Sequence, residues 1–339
     1  MANVNFLVSS LPDYVQTNRD ILLKIFALAG TGTRSRMTIQ TGVKLNAYIN
    51  FLDIAPTLQD GSGCGFSAAG SAELSQRTIN APSIKVDMEI CPRTLVGKYA
   101  EYLVRNNANA ESLPFEAEVL KGVTDAINDK IEKLIWQGDK TKTSDADLKW
   151  FDGLLKIIGA ENSAKKVAIA SGSSAYAGIV SVFKAIPAEA RKRGAAIFVA
   201  PEIFDAFILE LVAANLYHYP SAVNDEPEEF VVPGTRCKVV KTWGLEGSLK
   251  IVGTFERNLI YGTDMQGDEE DVRLWYSQDN DTFRLKVLWN SGVQVAFPDQ
   301  CVIGTFAAAP VSPGSVGDIA ANVAKLADPS HVYTTKASA

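Results

Sequence analysis

The sequence predicts an α+β fold, and three stretches carry that prediction. Residues 113–137 repeat apolar side chains every three to four positions, the spacing of one helix face. Residues 37–58 and 72–91 are β-biased, with period-two alternation plainest in SIKVDMEI. Residues 166–214 interleave short apolar strands with helical runs. Antiparallel strands then return near the C-terminal end, so the chain mixes segregated strands and helices rather than repeating one βα unit.

The long helix is signalled from both ends. Ser112 suits the N-cap, Pro114 the first turn, and Glu116 and Glu118 the positive end of the helix dipole. Phe115, Val119, Val123, Ile127, Ile131 and Ile135 make the apolar stripe, widened by Leu120 and Leu134. Lys121, Asp125, Asp129, Lys130, Glu132 and Lys133 are expected on the solvent faces. Gly138 is expected to close the helix in the left-handed conformation. At 1.5 Å per residue the rod is about 35 Å long, a strut rather than a catalytic element.

Residues 1–37 read as an arm: a polar lead, the amphipathic DILLKIFALA, then the breaker-rich GTGTRSR. Gly30, Gly32, Arg34 and Arg36 do not make a phosphate loop, because no GKS or GKT follows and no strand precedes, so a hinge is expected there. The two β-biased stretches flank GSGCGFSAAG, residues 61–70, and form a long ribbon with a small-residue tip. A two-stranded ribbon is marginal in water on its own, which points to a partner, with Phe66 at the tip as a contact.

Beyond the helix, KVAIA is a strand, Ser173 or Ser174 caps a helix, Pro187 opens another that Gly194 ends, and AAIFVA is a buried strand leading into EIFDAFILELVAAN. Strands follow in VVPGTRCKVVKTW and SLKIVGTF. The last block reads as DVRLWYS, TFRLKVLWN, GVQVAF and QCVIGTF, with turns at residues 279–281, 290–292 and 298–299. The tail holds one weak helix over residues 319–326.

Composition excludes several classes. With 339 residues, 47% hydrophobic content and mean hydropathy of +0.03, most of the chain can bury a core. The net charge is −6, and the window 220–280 holds 12 acidic and 6 basic residues. The only basic excess is modest and N-terminal, which argues against sequence-specific nucleic-acid binding. Cys64, Cys91, Cys237 and Cys301 lie far apart with no CxxC pair, so neither a zinc site nor a redox motif is expected. No apolar run reaches the length of a membrane span and no signal peptide is read, so synthesis is expected in the cytoplasm.

Catalytic motifs are weak. SVFK, residues 181–184, matches SxxK, but neither SDN nor KTG occurs. DMQGDEED, residues 264–271, gathers five carboxylates without the spacing of a calcium loop. His218 and His331 have no marked nucleophile. The expectation is no catalytic, cofactor-binding or metal site.

The order of parts resembles the major capsid protein of tailed double-stranded-DNA bacteriophages, the Hong Kong 97-type fold. EKLIWQGD, NLIYGTDMQGDEE and GVQVAFPDQCVIGTF carry the resemblance, which leans toward phages of Bacteroidales-like gut hosts. It implies an arm over 1–37, an extended loop over 38–94, and a peripheral domain over 95–165 with its spine helix at 113–137. An axial domain over 166–255, peripheral-domain strands over 256–306 and a tail over 307–339 complete the division. It also implies hexamers and pentamers closing into an icosahedral virion shell, assembled in the host cytoplasm, without enzymatic activity. The implied partners are further copies of the chain, a portal, decoration proteins, a separate scaffolding protein and packaged double-stranded DNA held non-specifically; no membrane is implied. Lys44 and Lys85 fall in the extended loop, but no covalent crosslink is expected. Two alternatives remain: an encapsulin-like compartment shell, and a metal-dependent enzyme using residues 264–271 through Asp264 and Asp268.

Overall fold

The computed structural model describes residues 32–60, 62, 66, 68–91, 115–214, 228–232, 234–264, 271–280 and 282–310. The expected helix cap at Ser112 and Pro114, most of the arm, the weak tail helix, His218 and His331 lie outside them. The chain divides into two compact units, one of Met1–Ser163 with Phe255–Asp299 and one of Ala164–Thr254 with Gln300–Ala339.

The first unit is built on a sheet in the order β1-β10-β12-β11, with β4 also paired to β12. Its strands are β1 (Thr38–Gln40), β4 (Ser83–Ile90), β10 (Leu259–Thr263), β11 (Asp271–Ser277) and β12 (Thr282–Val295). Helix α1 (Phe115–Gln137) and the short α2 (Leu154–Ala160) complete it. Ile127, Ile131, Leu134 and Ile135 of α1 are buried, as the stripe predicts, and Trp136 beside them is buried too.

Four expectations are corrected. Gly138 does not adopt a positive φ. It is required because a Cβ there would lie 2.5 Å from the Phe151 carbonyl oxygen and 2.6 Å from that of Leu134. Gly153 faces it, with its N–H donating to the Gly138 carbonyl at 2.8 Å. Both obstacles to a side chain are backbone, so Gly138→Ala is expected to destabilise the first unit by about 2–4 kcal/mol, read from its denaturant midpoint.

Residues 290–292 are not a turn. β12 runs through them, pairing β4 and β11 with its first half and β10 from Ser291 onward. Gly292 serves a close approach here, because a Cβ would meet the Asn80 carbonyl oxygen at 2.2 Å.

The extended loop expected over 38–94 is a two-stranded ribbon only over β2 (Leu45–Pro56) and β3 (Gly70–Ala81). Pro82, which has no N–H to give a ladder, separates β3 from β4, and β4 joins the sheet through β12. β1 pairs in parallel with β10. Lastly, Val302–Phe306 (β13), expected in one block with the strands from Asp271 onward, pairs instead with β5 (Lys165–Ile169) and β9 (Lys250–Phe255) in the second unit.

That second unit carries a sheet in the order β5-β13-β9-β6-β8-β7, completed by β6 (Ala195–Val199), β7 (Glu229–Val231) and β8 (Lys238–Lys241). Every residue of β6 is buried, as its unbroken apolar run predicts. Helices α3 (Ala175–Ala185), α4 (Ala188–Arg193) and α5 (Pro201–Ala213) accompany the sheet. Ser174 caps α3, accepting from the Ala177 N–H at 3.2 Å. The Glu210 carboxylate of α5 takes the Ala175 and Tyr176 N–H groups at 2.8 and 2.9 Å. Gly194 ends α4 at φ +90°, the left-handed closure the sequence suggested.

Candidate assembly surfaces

The ribbon has two unlike faces. Register places Ala47 opposite Ile79 and Ile49 opposite Arg77, so one face carries the odd-numbered residues of β2. That face is anchored at its base, where Ile79 and Ala81 are buried with Val43, Ile260 and Ala296, and Phe51 packs against Phe297. Arg77 adds an ion pair to Glu161 at 2.8 Å.

The opposite face pairs Tyr48 with Thr78, Asn50 with Gln76, Leu52 with Leu74 and Ile54 with Ala72. An antiparallel sheet with one face in water should be polar there, yet Tyr48, Leu52, Ile54 and Leu74 are all exposed. Toward the tip Leu58 and Phe66 are 99% and 96% accessible. Covering such side chains is worth up to about 1.5–3 kcal/mol each, a driving force that the single chain leaves unused. Twelve paired residues in each strand make the ribbon roughly 40 Å long.

A second surface surrounds α1. An apolar groove of about 690 Å³ opens between α1 and β4, walled by Ile84, Val86, Ile127, Ile131 and Trp289. On another face, residues 32–36 are fastened to α1. The Thr33 N–H donates to Glu132 Oε1 at 3.1 Å, and its hydroxyl donates to the same oxygen. Trp136 Nε1–H donates to Thr33 Oγ1 at 2.7 Å. Arg34 is buried, donating to Asn128 Oδ1 at 2.7 Å with its guanidinium 6.0 Å from the Tyr261 ring. Arg36 pairs with Glu256 at 2.8 Å.

Two expectations fail at this point. Residues 33–36 are not a loose hinge but are pinned, and Glu132 is not on a solvent face but buried. The signal was present as a line of polar and aromatic residues at spacing four, Thr124, Asn128, Glu132 and Trp136, beside the apolar stripe.

The turn after α1 is held by charge. Lys156 Nζ donates to Asp139 Oδ1 at 2.6 Å and to Asp152 Oδ1 at 2.7 Å. That ammonium, then the Thr141 hydroxyl and amide, holds the Asp139 carboxyl well below the usual carboxylate range. Asp139 in turn raises Lys156. A depressed carboxyl contributes stability above its unfolded value of 3.8, lost as pH falls below it; a raised lysine contributes below 10.5, lost as pH rises past it. The clamp is therefore complete at neutral pH. Asp139→Asn is expected to lower the thermal midpoint at pH 7, and the gap from wild type should close below about pH 4. A gap unchanged in acid would contradict this electrostatic account.

Among the described residues, the candidate chemical residues do not converge. Ser181 of the SVFK stretch donates to the Ala177 carbonyl of its own helix at 2.8 Å. Asp264 is buried, whereas residues 265–270, Asp268 included, lie outside the described residues. Lys85 pairs with Asp87 at 2.9 Å, and Lys44 is exposed. Burial pushes the Cys237 thiol up to about 11, which keeps it from acting as a thiolate. Among the described residues no group of three or more His, Cys, Asp or Glu is placed to hold a metal, and no helix is long and apolar enough to cross a membrane.

No protein-family model matches the sequence, and no curated protein is similar to it by sequence. Solved structures are similar in fold. A chain of the satellite phage P4 procapsid, a structure that includes the size determination protein, matches with TM-score 0.55 at 12% identity, over 87% of this chain and 100% of that one. The capsid of an empty GTA particle matches with TM-score 0.54 at 13% identity, over 84% and 90%. A chain of Microbacterium phage Oxtober96 matches with TM-score 0.53 at 14% identity, over 82% and 92%. The chain thus has the Hong Kong 97-type capsid fold, in agreement with the resemblance read from the sequence. Nothing in these neighbours supports the expected host.

Proposed function

We propose that this chain is the major capsid protein of a tailed phage, assembling as hexamers and pentamers into an icosahedral head around double-stranded DNA. The observation that carries this reading is the ribbon, whose outward face presents Tyr48, Leu52, Ile54 and Leu74 to solvent in a chain of capsid fold. Such a face is explained by a second copy lying against it, and repetition of one contact around rotation axes closes a shell.

In this assignment the second unit is the axial domain, the first unit is the peripheral domain with α1 as its spine, and residues 45–81 overlap a neighbour. Residues 1–37 are the arm, and the role is structural rather than catalytic. The net charge of −6 suits a container that must let its DNA go. Scaffolding, portal and decoration proteins are partners of the same proposal.

The contents of purified particles test it. Particles from phage-producing cells should hold nuclease-protected double-stranded DNA. An enzyme carrying a shared targeting peptide, in place of DNA, would make the chain a compartment shell instead.

A further inference from the structure

Glu132 is a carboxyl group with 6% of its surface exposed, set where residues 32–36 meet α1. One oxygen, Oε1, receives both the N–H and the hydroxyl of Thr33. The other, Oε2, is buried with no hydrogen-bond partner. Gly32, next to Thr33 at φ +83°, also lies against the carboxyl, since a Cβ there would stand 3.2 Å from Oε1. A neutral carboxylic acid keeps both Thr33 bonds, because its Oε1 remains an acceptor. Ionisation adds a charge whose second oxygen has no donor, and burying such a charge is costly.

We propose that Glu132 makes this contact a proton-controlled clasp, closed on α1 when the carboxyl is neutral and loosened when it ionises, so that solution pH governs how firmly residues 32–36 are held. Among the described residues, the charged and titratable groups facing it are Arg34, Asp129 and Tyr261. Arg34, from the pinned segment, favours the carboxylate, and Asp129, on α1 itself, disfavours it. Tyr261 of β10 lies under the Arg34 guanidinium. Burial outweighs Arg34 and the Thr33 bonds and raises the Glu132 carboxyl above its ordinary value of 4.5. An acid raised in the closed state binds its proton more tightly there than in the open state. The clasp is therefore firmest at low pH and weakens as pH rises from the open-state value to the closed-state value. Opening becomes about tenfold more favourable for each unit between those two values. None of this depends on the proposed assembly role.

Hydrogen exchange in the full-length protein tests the clasp. Exchange of a peptide covering residues 32–37 is compared with that of a peptide covering the fully buried Ala195–Val199 at each pH, which cancels the intrinsic pH dependence. Between about pH 5 and pH 9 the ratio should rise about tenfold or more in wild type and stay flat in Glu132→Gln, which keeps the Oε1 acceptor without the charge. A wild-type ratio constant within about twofold would overturn the proposal even if Glu132→Gln failed to fold, and so would an equal rise in both proteins.

Discussion

Ile131→Asp is expected to abolish folding of the first unit. Ile131 lies mid-helix with 2% of its surface exposed, between Ile127 and Leu134 on the face that α1 buries. Aspartate there loses the buried apolar side chain, worth about 2–5 kcal/mol, and places a charge at a position closed to water. A domain of ordinary stability, about 5–15 kcal/mol, does not survive both. The variant should be recovered as aggregate, or as a soluble species without a cooperative thermal transition by circular dichroism. Lys130, one residue away and exposed, is the control: Lys130→Asp should fold, because the change stays in water. A cooperative wild-type-like transition in Ile131→Asp would show that α1 is not the support of this unit.

The second large effect falls on assembly rather than folding. Leu52 and Leu74 face each other across the ribbon on its outward side, and both are exposed. Replacing both by Asn removes no core contact, so the thermal midpoint should stay within about 3 °C of wild type. The same pair should prevent particle formation, because the loss recurs at every contact of a repeating shell. Phe66→Ala, at the tip, should impair assembly in the same direction. Normal particles from the Leu52→Asn, Leu74→Asn protein would mean that the outward face of the ribbon is not an interface.

These two predictions differ in how readily the sequence exposes their basis. The support helix was legible because its apolar spacing of three and four is local and long. The ribbon was legible as alternation, but its limits were not. Residues 83–90 alternate as well as residues 70–81 do, and only the pairing of β4 with β12 shows that they belong to the sheet. β12 hid its continuity behind Asn290, Ser291 and Gly292, turn-forming residues that sit inside a strand because the Asn80 backbone crowds against Gly292. Likewise, Val302–Phe306 reads as one more strand of its block, and only long-range pairing assigns it to the second unit.

Glu132 was misplaced for a different reason. A charged residue on an amphipathic helix is ordinarily solvated, and what buries this one is Thr33, 99 positions away. Arg34 and Arg36 belong to the N-terminal basic excess, yet Asn128 and Glu256 take them up within the chain. Charge counted along the sequence overstated the charge available to a partner.

The central claim, that the chain exists to bury the ribbon on other copies of itself, is tested most directly by sedimentation with negative-stain electron microscopy of the purified full-length protein, alone and with a candidate scaffolding protein. The account predicts closed shells, or rings of five and six subunits. A stable monomer under both conditions, with the outward face of the ribbon still exposed to solvent, would contradict it.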